Sequence, residues 1–318
     1  MRGERTAQSE YLLRMGRQIL APYTRLPAAR AAMITGSAAE GISDHYSDLD
    51  MTVYYDGELP SEETLAQIRE ANGAPERAWF MGERTDGNIA EAYELDGVQA
   101  QIGHATLQAW ENDIAEVLER WNADTPLHKA MSGTLDCVAV HGDEHITRWK
   151  AKIRNYPDGL ARAMVERWLK IFPVWYVQDA LDERDATLWH FQIRTETAYN
   201  LLGILAGLNR QYFTTFQFKK MRRFLDQMPV KPERLADRLE EVFRQSPSAA
   251  AVSLETLVRE VLALVGREMP QVDVSALTRR IGGRRPRWDY VASRRSALDR
   301  SRALAAHGEA TDGYGALQ

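Results

Sequence analysis

Two aspartates, Asp48 and Asp50, stand two residues apart in the stretch "MITGSAAEGISDHYSDLDMTVYY" (33–55), with ten residues separating them from the Gly36-Ser37 pair. Successive side chains on a strand point to opposite faces, so residues two apart share one. Asp48 and Asp50 therefore project together, while Leu49 and Met51 point to the other side. Two carboxylates held side by side repel one another unless a cation compensates them. Mg²⁺ suits the position, because it takes oxygen ligands and commonly joins one or two carboxylates to substrate phosphates. A glycine turn at Gly36-Ser37 lets backbone approach a phosphate closely. A helix opening at Ala38 would aim its first N–H groups at the same anion. The chemistry these parts suit is phosphoryl or nucleotidyl transfer.

Around them, the pattern predicts an amphipathic helix over 4–20, with Tyr11, Leu12, Met15, Ile19 and Leu20 at helical spacing. "AAMIT" reads as a buried strand, "SAAEGIS" as a short helix and "LDMTVYY" as a β-branched, aromatic strand. A helix follows from the cap Ser61 to the stop Asn72-Gly73. "RAWFM" and "GVQAQIGHAT" read as strands separated by a polar loop, "LQAWENDIAEVLERWN" as a helix and "GTLDCVAVHG" as a strand. Residues 1–145 thus form an α+β unit with a mixed sheet, and 146–300 carry long 3.6-residue periodicity, the mark of an all-α helical bundle. The Gly-rich end, 301–318, is expected to be disordered.

Of 318 residues, 44% are hydrophobic and 27% charged, the balance of a globular protein. No apolar run approaches the roughly 18 residues of a membrane-spanning helix. The N-terminus lacks a secretory apolar core, and the single cysteine, Cys137, excludes a disulfide framework, so a cytoplasmic location is expected. A net charge of −5 speaks against a protein built throughout to bind nucleic acid. The arginines of "TRRIGGRRPRWDYVASRRSALDRSR" are read as a solvated helix near the C-terminus.

The span from Gly36 to Tyr55 resembles the signature of the polymerase-β-like nucleotidyltransferases, a Gly-Ser pair followed at a set distance by Asp-hydrophobic-Asp-hydrophobic. The phrase "YSDLD" is similar to that of the small-molecule members related to aminoglycoside and lincosamide adenylyltransferases. The resemblance implies transfer of a nucleoside monophosphate from a nucleoside triphosphate, ATP first among them, to a hydroxyl of a small, aminoglycoside-like acceptor. Asp48 and Asp50 would hold Mg²⁺, and Gly36, Ser37 and Ser47 would face the nucleotide. "LLGILAGLNRQYFTTFQFKKM" is similar to the helical second domain of those enzymes, which puts Lys219 at the triphosphate and leaves Asn209, Tyr212 and Phe213 structural or beside the base. Partners are thus a triphosphate and a small acceptor, with no membrane or nucleic acid, in a monomer or homodimer.

One position departs from that family. The third carboxylate falls on Gln101, whose amide supplies neither a charge nor a general base. Glu94 and Asp96 are other acids nearby, and Glu196 lies on a helix of the second half, where the resemblance to those enzymes implies the base. The same departure motivates an alternative, a weakly catalytic nucleotide-binding relative acting as a regulator or toxin–antitoxin-like component. Transfer onto RNA or protein, a third reading, rests on the arginine cluster alone. "HGDEH" (141–145) fits a zinc-protease string only if both histidines share a helix face, and Gly142-Asp143 reads as a turn instead. His104 reads as a structural residue or a lining of the cleft. Trp168, Trp175 and Trp189 suit helix packing.

Overall fold

A computed structural model describes residues 4–74, 78–290, 294–300 and 302. The expected disordered end, 301–318, lies outside them except for Arg302. Helix α1 (Ala7–Thr24) begins where the Thr6 hydroxyl accepts the Ser9 amide. It buries Leu12, Ile19, Leu20 and Tyr23 on one side of the sheet. Gly16 lets it lie against β1 (Ala29–Ile34), since a Cβ there would meet Ile34 at 2.7 Å. The short α2 (Gly36–Glu40) leads through a loop to β2 (Leu49–Tyr55). After α3 (Glu62–Ala71), capped by Ser61, come β3 (Trp79–Met81), β4 (Asn88–Leu95) and β5 (Val98–Thr106). Helices α4 (Leu107–Leu118) and α5 (Leu127–Asp136) precede β6 (Val138–His141).

The sheet is mixed, in the order β3-β4-β5-β2-β1-β6, with β2 and β5 parallel at its centre. Leu49, Met51, Val53 and Tyr55 join the core shared with α1 and α3. Tyr54 faces the other way, against Trp110 and Trp149 at 5.7 and 4.6 Å between ring centroids. On β5, Ala100, Ile102 and His104 are buried on the α1 side. Gln101 alternates to the opposite face, as the strand period predicts.

Helices make up the rest: α6 (Asp143–Arg154), α7 (Asp158–Trp168), α8 (Val174–Asp182), α9 (Thr187–Leu208), α10 (Met221–Asp226), α11 (Leu235–Arg244), α12 (Pro247–Glu268) and α13 (Ser275–Thr278). Toward its C-terminal end α9 is apolar all round, and it lies among α7, α11 and α12, which is what such a helix requires. Gly203 and Gly207 let α7 press close, because a Cβ at either would run into Trp168 or Val165. One apolar cluster runs from Met33 and Tyr54 of the sheet through α4 and α6 into these helices. The boundary read at residue 145 falls inside α6, which also packs on β1.

Several expectations are corrected. The segment 133–136, read as the start of a strand, ends α5. Leu127, Met131 and Leu135 repeat every four residues, the helical spacing, and strand begins only at Val138. The strand β4 follows the polar loop "GERTDGN" (82–88), over a stretch for which the pattern predicts no element. Asp96 and Gly97, both with positive φ, form the tight turn joining it to β5, and Asp-Gly between apolar alternations is the sequence signal for that turn. Trp189 is 45% exposed against Phe172, whereas Trp168 and Trp175 are buried. The late arginines do not form one helix: residues 283–289 are irregular, and helix resumes over 294–300. His141 ends β6 and His145 lies on α6, so the two do not share a helix face.

His128 on α5 is fully buried, with Nε2 2.8 Å from the Asn122 carbonyl and Nδ1 without a partner. Burial pushes its pKa below the ordinary histidine value. A base whose folded pKa is lowered stabilises the fold fully above its unfolded pKa of about 6.5, and that stability drains away as pH falls through the folded value. The melting temperature is therefore expected to fall on acidification from pH 7 to 5, and His128→Gln should flatten that slope. An unchanged slope in the variant, followed by scanning calorimetry, would contradict the assignment.

Candidate functional site

Asp50 lies at the centre of the sheet, where its carbonyl accepts the Thr35 amide at 2.9 Å and so fixes the turn before α2. Gly36 sits directly against the Asp50 carboxylate. Its φ is +63°, and a Cβ there would come within 2.3 Å of Oδ2, so only glycine satisfies both the backbone and the space. Helix α2 opens at Gly36, two residues ahead of the expected Ala38, and is only five residues long. Asp48 precedes β2 by one residue. Gln101 stands opposite Asp50 across the parallel β2–β5 pair, and its Nε2 donates to Asp48 Oδ2 at 3.2 Å. Asp48, Asp50, Gln101 and Gly36 are thus brought together.

Burial, and then the charge of Asp48, push the Asp50 carboxyl above its ordinary value, while Lys129 and Lys219 pull the other way. Asp50 thus feels the negative charge of Asp48 and the positive charges of the two lysines at once. Among the described residues no group of three or more His, Cys, Asp or Glu side chains forms a metal cage. Two carboxylates are nonetheless a sufficient protein share for Mg²⁺, which usually keeps waters and takes its remaining ligands from phosphates. The donor set fits that ion.

Lys129 was not foreseen. Helix α5 presents it, and its Nζ donates to Gln217 Oε1 at 2.7 Å and lies 5.2 Å from the centre of the Phe216 ring. Gln217 and Phe216 belong to the loop between α9 and α10, the same loop that carries Lys219 past Asp50. The loop is well anchored. Asn209 holds Val230 through both its amide groups, the Tyr212 hydroxyl donates to the Ile153 carbonyl at 2.7 Å, and Phe213 packs with Phe218 and Phe224. These residues are structural. Lys220 adds its charge near Asp44, and Arg223 pairs with Glu40 of α2 at 3.3 Å.

The serines take less direct places. The Ser37 hydroxyl meets that of Ser43 at 3.1 Å, and Ser43 is tied in turn to Ser9 and Thr6 at the start of α1. Ser47 donates to Asp44 Oδ1 and accepts the Asp44 amide, so it shapes the loop ahead of Asp48. The Tyr46 amide, then the Ser47 hydroxyl, hold Asp44 below the ordinary carboxylate value.

Of the other acids, Asp96 sits in the β4–β5 turn with positive φ, and lines a hollow with Tyr11 and Arg14 on the α1 side. Glu94 is exposed and opposes Gln99. Glu196 is exposed on α9, where it accepts from Gln192 at 2.8 Å, one turn before Tyr199, whose ring meets Phe218 edge-on. None of the hydrogen bonds of Asp48 or Gln101 reaches these three. His104 is buried on the far face, against Glu91 and Tyr55, and is structural.

No protein-family profile and no curated protein matches the chain. Among solved structures it is similar to a nucleotidyltransferase-like protein from Exiguobacterium sibiricum 255-15, at 12% identity over 82% of this chain and 80% of that one, with a TM-score of 0.38. It is similar also to CdnC of E. coli MS115-1 in complex with HORMA-deltaN, at 12% identity over 81% and 92% of the chains and a TM-score of 0.26. The same CdnC with ATP gives 13% identity, 79% and 89% coverage, and a TM-score of 0.24.

Proposed function

We propose that the protein is a nucleotidyltransferase that moves a nucleoside monophosphate from a triphosphate, ATP first among them, to a hydroxyl of a small acceptor and releases pyrophosphate. The observation that carries this reading is the Asp48–Asp50 pair, with Gly36 against the Asp50 carboxylate and the charges of Lys129 and Lys219 acting on it. It offers paired negative charge for a cation beside positive charge for phosphates. Bound by Asp48 and Asp50, Mg²⁺ would supply the neutralisation of phosphate charge on which such transfers depend. Gly36 and Ser37 bring backbone to the phosphates. Lys219 and Lys129 attract the triphosphate from two sides, and Glu196 is the carboxylate assigned to take the acceptor proton. An aminoglycoside-like acceptor is the class to try first, with the chain acting in the cytoplasm as a monomer or homodimer.

Lys129→Ala tests the phosphate assignment. A charge-assisted hydrogen bond contributes about 1.5–3 kcal/mol, so ATP affinity measured by calorimetry with Mg²⁺ should weaken by about tenfold or more. Gln217→Ala drops only the tether to the loop and should weaken binding much less. Equal losses in the two variants would reduce Lys129 to a loop anchor.

A second reading is favoured by the hydrogen bond from Gln101 to Asp48. An amide that donates to one carboxylate, where a third acid was expected, supports cation and nucleotide binding without supplying a base. The protein would then be a nucleotide-binding regulator or toxin–antitoxin-like component. Pyrophosphate release across aminoglycosides, lincosamides and nucleosides separates the two. Tight ATP binding with no release on any acceptor would favour the regulator.

A further inference from the structure

Residues 279–302 hold nine arginines, two aspartates and no lysine, in a chain whose net charge is −5. The front of this segment is fastened to the helical body. Trp175 Nε1 donates to the Arg280 carbonyl at 2.9 Å, the Arg285 amide to the Tyr176 carbonyl at 2.7 Å, and Arg284 pairs with Glu255 at 3.1 Å. Residues 284–290 are nevertheless exposed along their whole length. Trp288 is 71% exposed and Tyr290 56%, and their rings stand edge to face 5.7 Å apart. Trp79, Trp121 and Trp189 are exposed elsewhere on the chain, but Trp288 and Tyr290 form an exposed aromatic pair in a segment whose neighbours are arginines. Two adjacent exposed aromatics rimmed by charged residues have the make-up of an interaction surface.

We propose that this strap is a docking surface for single-stranded nucleic acid. The proposal is independent of the transfer reading above. Arginine guanidinium groups bind phosphates in bidentate fashion and stack on flat rings, which lysine does less well, and the cluster contains arginine alone. Aromatic side chains set among basic residues are the platforms on which unpaired bases stack. A duplex keeps its bases stacked on one another and offers them no such partner. An anionic membrane would instead call for an amphipathic helix carrying the aromatics on one face, and 283–289 has no helix.

The test is fluorescence anisotropy of a fluorescein-labelled 20-nucleotide polyuridylate with the full chain, at 50 and 200 mM salt. Binding should weaken with salt, as counterion release requires. The Trp288→Ala/Tyr290→Ala variant should bind at least about tenfold more weakly with the salt dependence kept, given the stacking contribution of each base. Arg285→Ala/Arg287→Ala should weaken binding and flatten the salt dependence. Both pairs are exposed, so circular dichroism should show an unchanged fold. The proposal is overturned if the RNA does not bind at 50 mM salt, or if the aromatic variant loses less than tenfold. Equal affinity for a 20-base-pair duplex, or stronger binding to phosphatidylserine vesicles, overturns it as well.

Discussion

Asp50→Asn is expected to melt at a higher temperature than the unaltered protein and to transfer no nucleotide. The carboxylate is partly buried, it faces Asp48, and both effects raise its pKa above the ordinary value. A carboxyl whose folded pKa exceeds its unfolded one binds protons more tightly in the fold. Stability is then present at low pH and is lost as pH rises through the folded pKa, so at neutral pH the ionised Asp50 weakens the ligand-free protein. The amide of asparagine removes that charge at nearly constant volume. The backbone bond from Thr35 to the carbonyl of residue 50 survives. A gain of about 1 kcal/mol would raise the midpoint by about 1–2 °C in a chain of this size. Transfer should fall by at least about 10²–10³-fold, the scale of losing a group that acts on transition-state charge. Mg²⁺ with ATP should raise the midpoint of the unaltered protein and leave that of the variant unmoved. Retained pyrophosphate release, or a lower midpoint, would sink the assignment.

The carboxylate pair was legible in sequence because everything it needs is local. A two-residue period sets the face, and a glycine and a serine lie ten residues ahead. The mixed α+β fold was legible for similar reasons, since β2 and the helices carry unambiguous periods. Long-range placement was not. Lys129 acts on Asp50 because α5 packs near α2, and its Nζ is tied to Gln217 of the α9–α10 loop. A lysine in "HKAMSGTLD" has no local mark that says so. Other signals are local too. The Asp96-Gly97 turn announced β4. Strand parity places His104 with Ala100 and Ile102, away from Gln101, which decides between its two readings.

That far face carries the second large expected effect. Glu91 of β4 is buried, and its Oε1 accepts from the Tyr23 hydroxyl at 2.6 Å and from His104 Nε2 at 3.0 Å. Its other oxygen is paired with Arg69 of α3. His104 meets the Tyr55 hydroxyl at 2.9 Å through Nδ1. Burial alone would raise the Glu91 pKa, but hydrogen bonds from His104, Tyr23 and Arg69 outweigh it and hold the carboxyl below its ordinary value. Its stabilisation is therefore present at neutral pH and lost as pH falls through the folded pKa. Glu91→Ala strands a buried guanidinium without its counter-charge, which typically costs about 3–5 kcal/mol, and should lower the midpoint by about 5–7 °C. Replacing both members, Glu91→Leu with Arg69→Met, should recover much of that loss, because the penalty comes from the orphaned charge more than from the missing pair. The network ties α1, α3, β2, β4 and β5 together behind the strands whose front carries Asp50 and Gln101. Transfer by Glu91→Ala should accordingly match the unaltered protein at temperatures below its lowered midpoint and fail only as it melts. A midpoint within 2 °C of the original, or loss of transfer in a fully folded sample, would show that Glu91 does something other than hold the sheet.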